Sequence, residues 1–332
     1  MNSVDVDRSA QRPQPNPLRT EFPGGSRRSR LLDAVIRYSV RPLIALWSRY
    51  PDLPWPYDAV DHLGRALRTS PGLVRQRIAL PHCTAELTTP RVVDESRFVL
   101  YLHGGAFLIG NRALHHQMIG RFADLLSARI LAPGYRKLPK YGVAEAVADC
   151  VDGYRHALEM GVAPENITLM GDSAGGYLVF TTALEIRDQG LPMPAAIVAM
   201  APLTDWDHTA KLAAPTGGVC AVFPVRAVPM FGILAERNCG TTPLVSPAHA
   251  DLAGLPPTLI QVSSSEFVYP DAELMAARLA EHGVPCELHV WPGQVHVFQA
   301  AASIVPEAAR AVAEIGGFLD RTLWQRAERR SA

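Results

Sequence analysis

Ser173 stands between Gly171 and Gly175 in the stretch TLMGDSAGGYLV, residues 168–179. A Gly-x-Ser-x-Gly pattern arises by chance in long chains, so its neighbours decide its meaning. The apolar run Ile167–Met170 reads as a buried strand and a helix begins from about Tyr177, which makes the serine the apex of a strand-to-helix turn. Such a turn strains the backbone and exposes Oγ, and the glycines let neighbouring backbone pass without Cβ clashes. The helix N-terminus behind it places partial positive charge where an oxyanion would form. A nucleophile of this kind needs a base for its proton, a carboxylate to orient that base, and amides to bind the oxyanion.

Each need has a candidate. His103-Gly104-Gly105-Ala106-Phe107 follows the strand-like run FVLYL at 98–102, and two consecutive glycines can turn their amides towards a cleft. The expected oxyanion donors are the N–H groups of Gly104, Gly105 and Ala174, with His103 holding the loop. Two histidines lie in CELHVWPGQVHVF: His289 sits within an alternating strand pattern, whereas His296 follows Pro292-Gly293 in a loop that can reach across a sheet edge. His296 is the expected base. The acid should lie just past the preceding strand, in QVSSSEFVYPDAEL, where Glu266 is favoured and Asp271 is the runner-up. The order Ser173, Glu266, His296 is the chain order of an α/β-hydrolase site.

The elements that must position these groups alternate from residue 96 onward. Apolar runs at 98–102, 129–132, 167–170, 195–200, 257–262 and 286–291 are separated by helical patterns at 115–128, 144–161 and 271–283. Continuous apolar strands alternating with helices predict a parallel sheet covered on both faces. Residues 31–75 and 204–247 supply no strand pattern before the pair at about 76–90 or between those at 195–200 and 257–262. Both are candidates for a lid over the C-terminal strand ends, where ligands bind in such sheets.

Composition narrows the function. The chain has 332 residues, 48% of them hydrophobic, and zero formal net charge, which argues against nucleic acid as a main partner. The first fifty residues hold nine arginines against four acids, and residues 1–30 read as a flexible basic tail. Arg27-Arg28 is not followed by an apolar export segment, and no run is long enough to span a membrane, so a cytoplasmic location is expected. Residues 31–50 form a basic amphipathic helix, expected to break at Pro42, that packs as a lid or touches a membrane surface. Five scattered cysteines offer neither paired nor zinc-like spacing, so no metal is expected.

These motifs together resemble the hormone-sensitive-lipase-type branch of the α/β-hydrolase esterases. The resemblance runs from about residue 70 to the C-terminus. It rests on HGGAF, GDSAGG with Asp172 before the serine, GYRKLP at 134–139, PPTLIQVSSSE and HGVPCELHVWPGQVHVF. It implies an α/β fold with a mostly parallel eight-stranded sheet, helices on both faces, and a helical cap. The cap would comprise residues 31–75 and a second segment at about 204–247, on a core of residues 76–332. It further implies a carboxylic-ester hydrolase for short- to medium-chain acyl esters, working through Ser173, Glu266 and His296 without cofactor or metal. Ser263 and Ser265 replace the Gly and Asp usual before the family's glutamate, and Ala106 replaces a third glycine. GYRKLP packs near the site in the family and is given no catalytic role. An acyltransferase or amidase with the same triad, and a non-catalytic ligand-binding member, remain the alternatives. A homodimer is common in the family.

Overall fold

A computed structural model describes residues 17–57, 59, 72–110 and 112–331. Nine strands form one sheet among these residues, in the order β1-β9-β8-β7-β6-β4-β5-β3-β2. Strands β4 (Phe98–Leu102), β6 (Ile167–Asp172), β7 (Ala196–Met200) and β8 (Thr258–Val262) are buried along their whole length. They pair in parallel with their neighbours, β5 (Arg129–Pro133) and β9 (Cys286–Val290) included. Burial on both faces explains why these segments read as unbroken apolar runs. Only β3 (Thr84–Thr89) runs against the other strands, pairing antiparallel with β5 and with β2 (Val74–Ala79), which carries its charged residues at the sheet edge.

Helices α3 (Val143–Glu159), α4 (Ala174–Asp188) and α8 (Tyr269–Glu281) cover one face. Helices α2 (Arg112–Leu126) and α9 (Pro306–Ser331) cover the other. The chain passes from β4 outward to β5 and then returns to β6 on the opposite side of β4. That reversal opens a crevice at the C-terminal ends of β4 and β6, where the glycine loop and Ser173 lie.

The N-terminal region departs from the sequence reading in three ways. The sheet has a ninth strand, β1 (Leu18–Glu21), inside the stretch expected to be a tail. It pairs in parallel with β9, and Phe22 behind it stacks on Trp291 with ring centroids 3.8 Å apart. Arg-Thr-Glu gives no apolar alternation; the strand rests on backbone hydrogen bonds, the aromatic anchor, and Arg19, which donates to Glu273 and Tyr269 of α8 at 2.7 and 2.9 Å. Residues 1–16 of the expected tail lie outside the described residues.

Helix α1 (Arg27–Arg49) also begins earlier than expected and continues through Pro42 instead of breaking. Ser26 caps it, its Oγ accepting from Ser29 N at 3.2 Å. Packing holds the proline-bearing turn: Trp47 is buried and stacks on Phe231 at 4.9 Å. The rest of the expected first cap segment, residues 58 and 60–71, lies outside the described residues. The second segment forms α5 (Thr209–Ala213), α6 (Thr216–Val219) and α7 (Val228–Arg237). Among the described residues no helix is long and apolar enough to cross a membrane.

Candidate active site

Ser173 has φ 55° and ψ −115°, a backbone conformation that L residues rarely adopt. The turn requires glycine on both sides. A Cβ on Gly171 would lie 2.4 Å from Gly175 O, and one on Gly175 would lie 1.8 Å from Leu102 O. Ser173 N donates to Met200 O at 2.8 Å, which ties the apex to β7.

The loop after β9 brings His296 across the edge, and its Nε2 accepts from Ser173 Oγ at 2.8 Å. Its Nδ1 donates to Glu266 Oε2 in a short hydrogen bond. Glu266 is buried, and its other oxygen accepts from Ser263 N at 2.7 Å. Hydroxyl, imidazole and carboxylate therefore form one continuous line, the arrangement that moves a proton off a serine oxygen.

Asp271 stands elsewhere. Its carboxylate accepts from Lys211 Nζ at 2.6 Å and from the amides of Thr204 and Asp205 at 2.9 and 3.1 Å. Burial pushes this carboxyl up to about 6 against the opposing pull of the Lys211 ammonium. Its contacts fasten the segment after β7 to α8. His289 lies in β9, buried, beside Glu287.

The glycine loop corrects one expected role. Gly104 N donates to Asp172 Oδ1 at 3.0 Å, so this amide is spent inside the protein. Among the described residues the amides of Gly105 and Ala106 make no hydrogen bond, and both residues line the cavity beside Ser173. Ala174 opens α4, where a first-turn N–H has no intrahelical acceptor. The three available donors are thus Gly105, Ala106 and Ala174. Ala106 reaches its position with φ 55°, a left-handed conformation that its side chain disguises in the sequence.

Asp172 also accepts from Tyr101 Oη at 2.6 Å and faces His115 Nε2 at 3.5 Å. Burial alone would raise its carboxyl. The His115 charge, hydrogen bonds from His115 and Tyr101, and the nearby His103 overcome this and hold it below the ordinary carboxylate range. His103 Nδ1 donates to Gly104 O at 2.8 Å, while burial and the neighbouring His115 lower its pKa to about 3, leaving it neutral. Tyr135, from GYRKLP, stacks on that ring at 4.3 Å and donates to His103 O at 2.8 Å. The segment therefore braces the loop from behind.

The two family departures before Glu266 also act as braces. Ser263 Oγ donates to Gln294 O at 2.8 Å and accepts from Gln294 N and Ser265 N, joining the acid loop to the histidine loop. Ser265 Oγ accepts from Gly293 N at 3.1 Å.

A cavity of about 490 Å³ opens above Ser173 and His296. Its walls come from α1 (Ile44, Trp47), from Leu108 and Ile109, and from Phe223 and Phe231 of the segment after β7. A smaller space of about 20 Å³ also adjoins Ser173, against Phe107, Leu203 and His208. Burial and the nearby Lys211 hold His208 down to about 4, so this imidazole is uncharged at neutral pH. Among the described residues no group of three or more His, Cys, Asp or Glu side chains could hold a metal ion.

A family model described as alpha/beta hydrolase fold matches residues 99–300. The chain is 40% identical over 292 residues to a protein named Esterase LipU from Mycobacterium tuberculosis, covering 85% of this chain and 98% of that one. It is 39% identical over 319 residues to a Carboxylesterase/phospholipase LipF of the same species, covering 91% and 84% of the two chains. Among solved structures it is similar to an esterase from the bacterial hormone-sensitive lipase family, with TM-score 0.80, 29% identity, and 91% and 100% of the chains covered.

Proposed function

The chain belongs to the α/β-hydrolase family, in its hormone-sensitive-lipase-type esterase branch, and on that premise we propose a serine mechanism for its hydrolysis of carboxylic esters. One observation carries the reading: Ser173 Oγ, His296 and Glu266 lie in an unbroken hydrogen-bonded line beneath an apolar cavity.

The ester carbonyl carbon sits over Ser173 Oγ with its oxygen towards the amides of Gly105, Ala106 and Ala174. As Oγ attacks, His296 Nε2 takes the hydroxyl proton, and Glu266 stabilises the resulting imidazolium. The three amides hold the negative charge of the tetrahedral species, and loss of one such donor costs on the order of 10²–10³ in kcat. His296 then gives its proton to the departing alkoxide, leaving an acyl group on Ser173. Water attacks this acyl group with the same assistance and releases the acid. The chemistry requires no cofactor.

Helix α1 and residues 204–247 act as the cap. The cavity of about 490 Å³ is lined almost wholly by apolar side chains, which suits an acyl chain of short to medium length. Hydrolysis of p-nitrophenyl esters from acetate to palmitate, on the parent and Ser173→Ala, tests the reading. Activity greatest on the shorter chains and absent in the variant is expected. Turnover by Ser173→Ala near the parent rate would remove the serine from the mechanism.

A further inference from the structure

Helix α1 has two faces with different surroundings. Inward, Ile44 and Trp47 wall the cavity above Ser173. Outward, Leu31, Val35, Tyr38, Leu43 and Leu46 are exposed, with Leu31 at 66%, Tyr38 at 81% and Leu43 at 62%. Steps of three to five residues put these side chains on one broad stripe of the helix. An amphipathic helix normally buries its apolar stripe against its own core, whereas here the stripe faces away from it.

Four of the arginines on α1, Arg27, Arg28, Arg30 and Arg49, are exposed as well, whereas Arg37 and Arg41 are half-buried. The helix carries six arginines and one acid, Asp33, which Arg37 already engages at 3.0 Å. Arg27, Arg28 and Arg30 occupy its first turn, where the positive end of the helix dipole disfavours cations; the helix has no acid of its own there, and the nearby Glu307 of α9 accepts from Ser26 N and Oγ instead. Arg49 is exposed at the far end. Within the fold Arg28 donates to Ile304 O and Arg30 to Gly25 O, bonds that leave their charges uncompensated, and an external anionic surface would complement them. A second copy of the chain fits less well. Self-pairing through this face sets arginines against arginines in either direction, with no unpaired acid on the helix to offset them.

We propose that the outer face of α1 docks on an anionic phospholipid bilayer, with the apolar stripe entering the headgroup region and the arginines meeting the phosphates. Val40 and Leu43 stand at the rim of the cavity leading to Ser173, so the docked face adjoins the route to the site. The bilayer is therefore both a partner and a source of apolar esters.

The test is flotation of the full chain with vesicles of phosphatidylcholine alone and of an equimolar mixture with phosphatidylglycerol. Ser173→Ala is used throughout to prevent turnover, so binding is read separately from the esterase mechanism. Partition at least tenfold stronger on the anionic vesicles, weakened by salt, is expected. Leu31→Gln/Val35→Gln/Leu46→Gln and Arg27→Gln/Arg49→Gln should each lower it tenfold or more. The same substitutions with Ser173 intact should hydrolyse p-nitrophenyl acetate at the parent rate, which shows that they fold. Equal partition of parent and variants, or none by the parent, would overturn the proposal. So would a dimer in solution that the apolar triple variant converts to monomer, because the face would then belong to a second copy.

Discussion

Ser263 and Gln294 are joined by two hydrogen bonds through a single hydroxyl, which donates to the Gln294 carbonyl at 2.8 Å and accepts from its amide at 3.2 Å. Gln294 lies two residues before His296, and Ser263 three before Glu266. One side chain therefore fixes the spacing between the loops carrying base and acid. Ser263→Ala should cost about 1–3 kcal/mol by leaving buried backbone groups without partners. It should lower kcat roughly tenfold with KM little changed, since it disturbs His296 but not the acyl cavity. Urea unfolding and steady-state kinetics check both; an unchanged kcat would sever the brace from catalysis.

The oxyanion assignment is tested at Ala106, where φ is 55°. Ala106→Gly keeps the amide and relieves a conformation costing a non-glycine residue about 1–3 kcal/mol, so kcat should stay within a few-fold. Ala106→Val places a β-branched residue where it cannot readily adopt that φ. Its kcat should fall on the order of 10²–10³, the loss expected for one misplaced donor. Similar kcat values for the two variants would move the donor elsewhere.

Lys211 and Asp271 form an almost fully buried ion pair at 2.6 Å. Lys211→Met strands the carboxylate and should destabilise the protein by about 3–5 kcal/mol at neutral pH. The raised pKa, about 6 in the parent, sets the sign of the pH dependence. The folded state takes up this proton more readily than the unfolded one, so this contribution favours folding as pH falls and is lost as pH rises through the folded value. Protonated Asp271 needs no cation, so the cost of Lys211→Met should shrink as pH falls below about 6. Denaturation midpoints at pH 7.5 and 5.0 decide it.

Asp172 has the opposite sign. Its folded pKa is depressed, so its stabilisation is complete above the unfolded value, about 4, and is lost as pH falls through the folded value. Asp172→Asn should unfold more easily at neutral pH and lose less stability between pH 5 and 3 than the parent. Parallel acid-limb slopes would exclude Asp172 as a source of that sensitivity.

The cavity predicts a change of substrate preference. Ile44→Trp fills part of its α1 wall. It should reduce kcat/KM for octanoate esters tenfold or more relative to acetate, the scale at which pockets discriminate a few methylenes. A uniform loss on all chain lengths would indicate damage to the site instead.

Ser173, His296 and Glu266 were legible because each follows a strand whose apolar run marks its end. The direction of an amide leaves no such mark. Gly104 looks like a donor by composition, yet Asp172 occupies its N–H, and Ala106 takes a backbone conformation that its residue type does not announce. The bracing roles of Ser263 and Ser265 depend on two loops about thirty residues apart meeting in space. Strand β1 was illegible because Leu-Arg-Thr-Glu shows no apolar alternation, and the contacts of Arg19 with Tyr269 and Glu273 join residues about 250 apart. The continuity of α1 through Pro42 was hidden for a related reason: packing of Trp47 on Phe231 outweighs a local helix-breaking signal.

The short strand β1 also governs how the molecule meets its neighbours. Lying along β9, it occupies the hydrogen-bonding edge through which two such sheets would otherwise join into one. A proteolytic cut or truncation removing residues up to Phe22 would bare that edge and take away the ring stacked on Trp291. The shortened chain would then present an unpaired strand suited to intermolecular pairing, so β1 and Phe22 guard the sheet against aggregation.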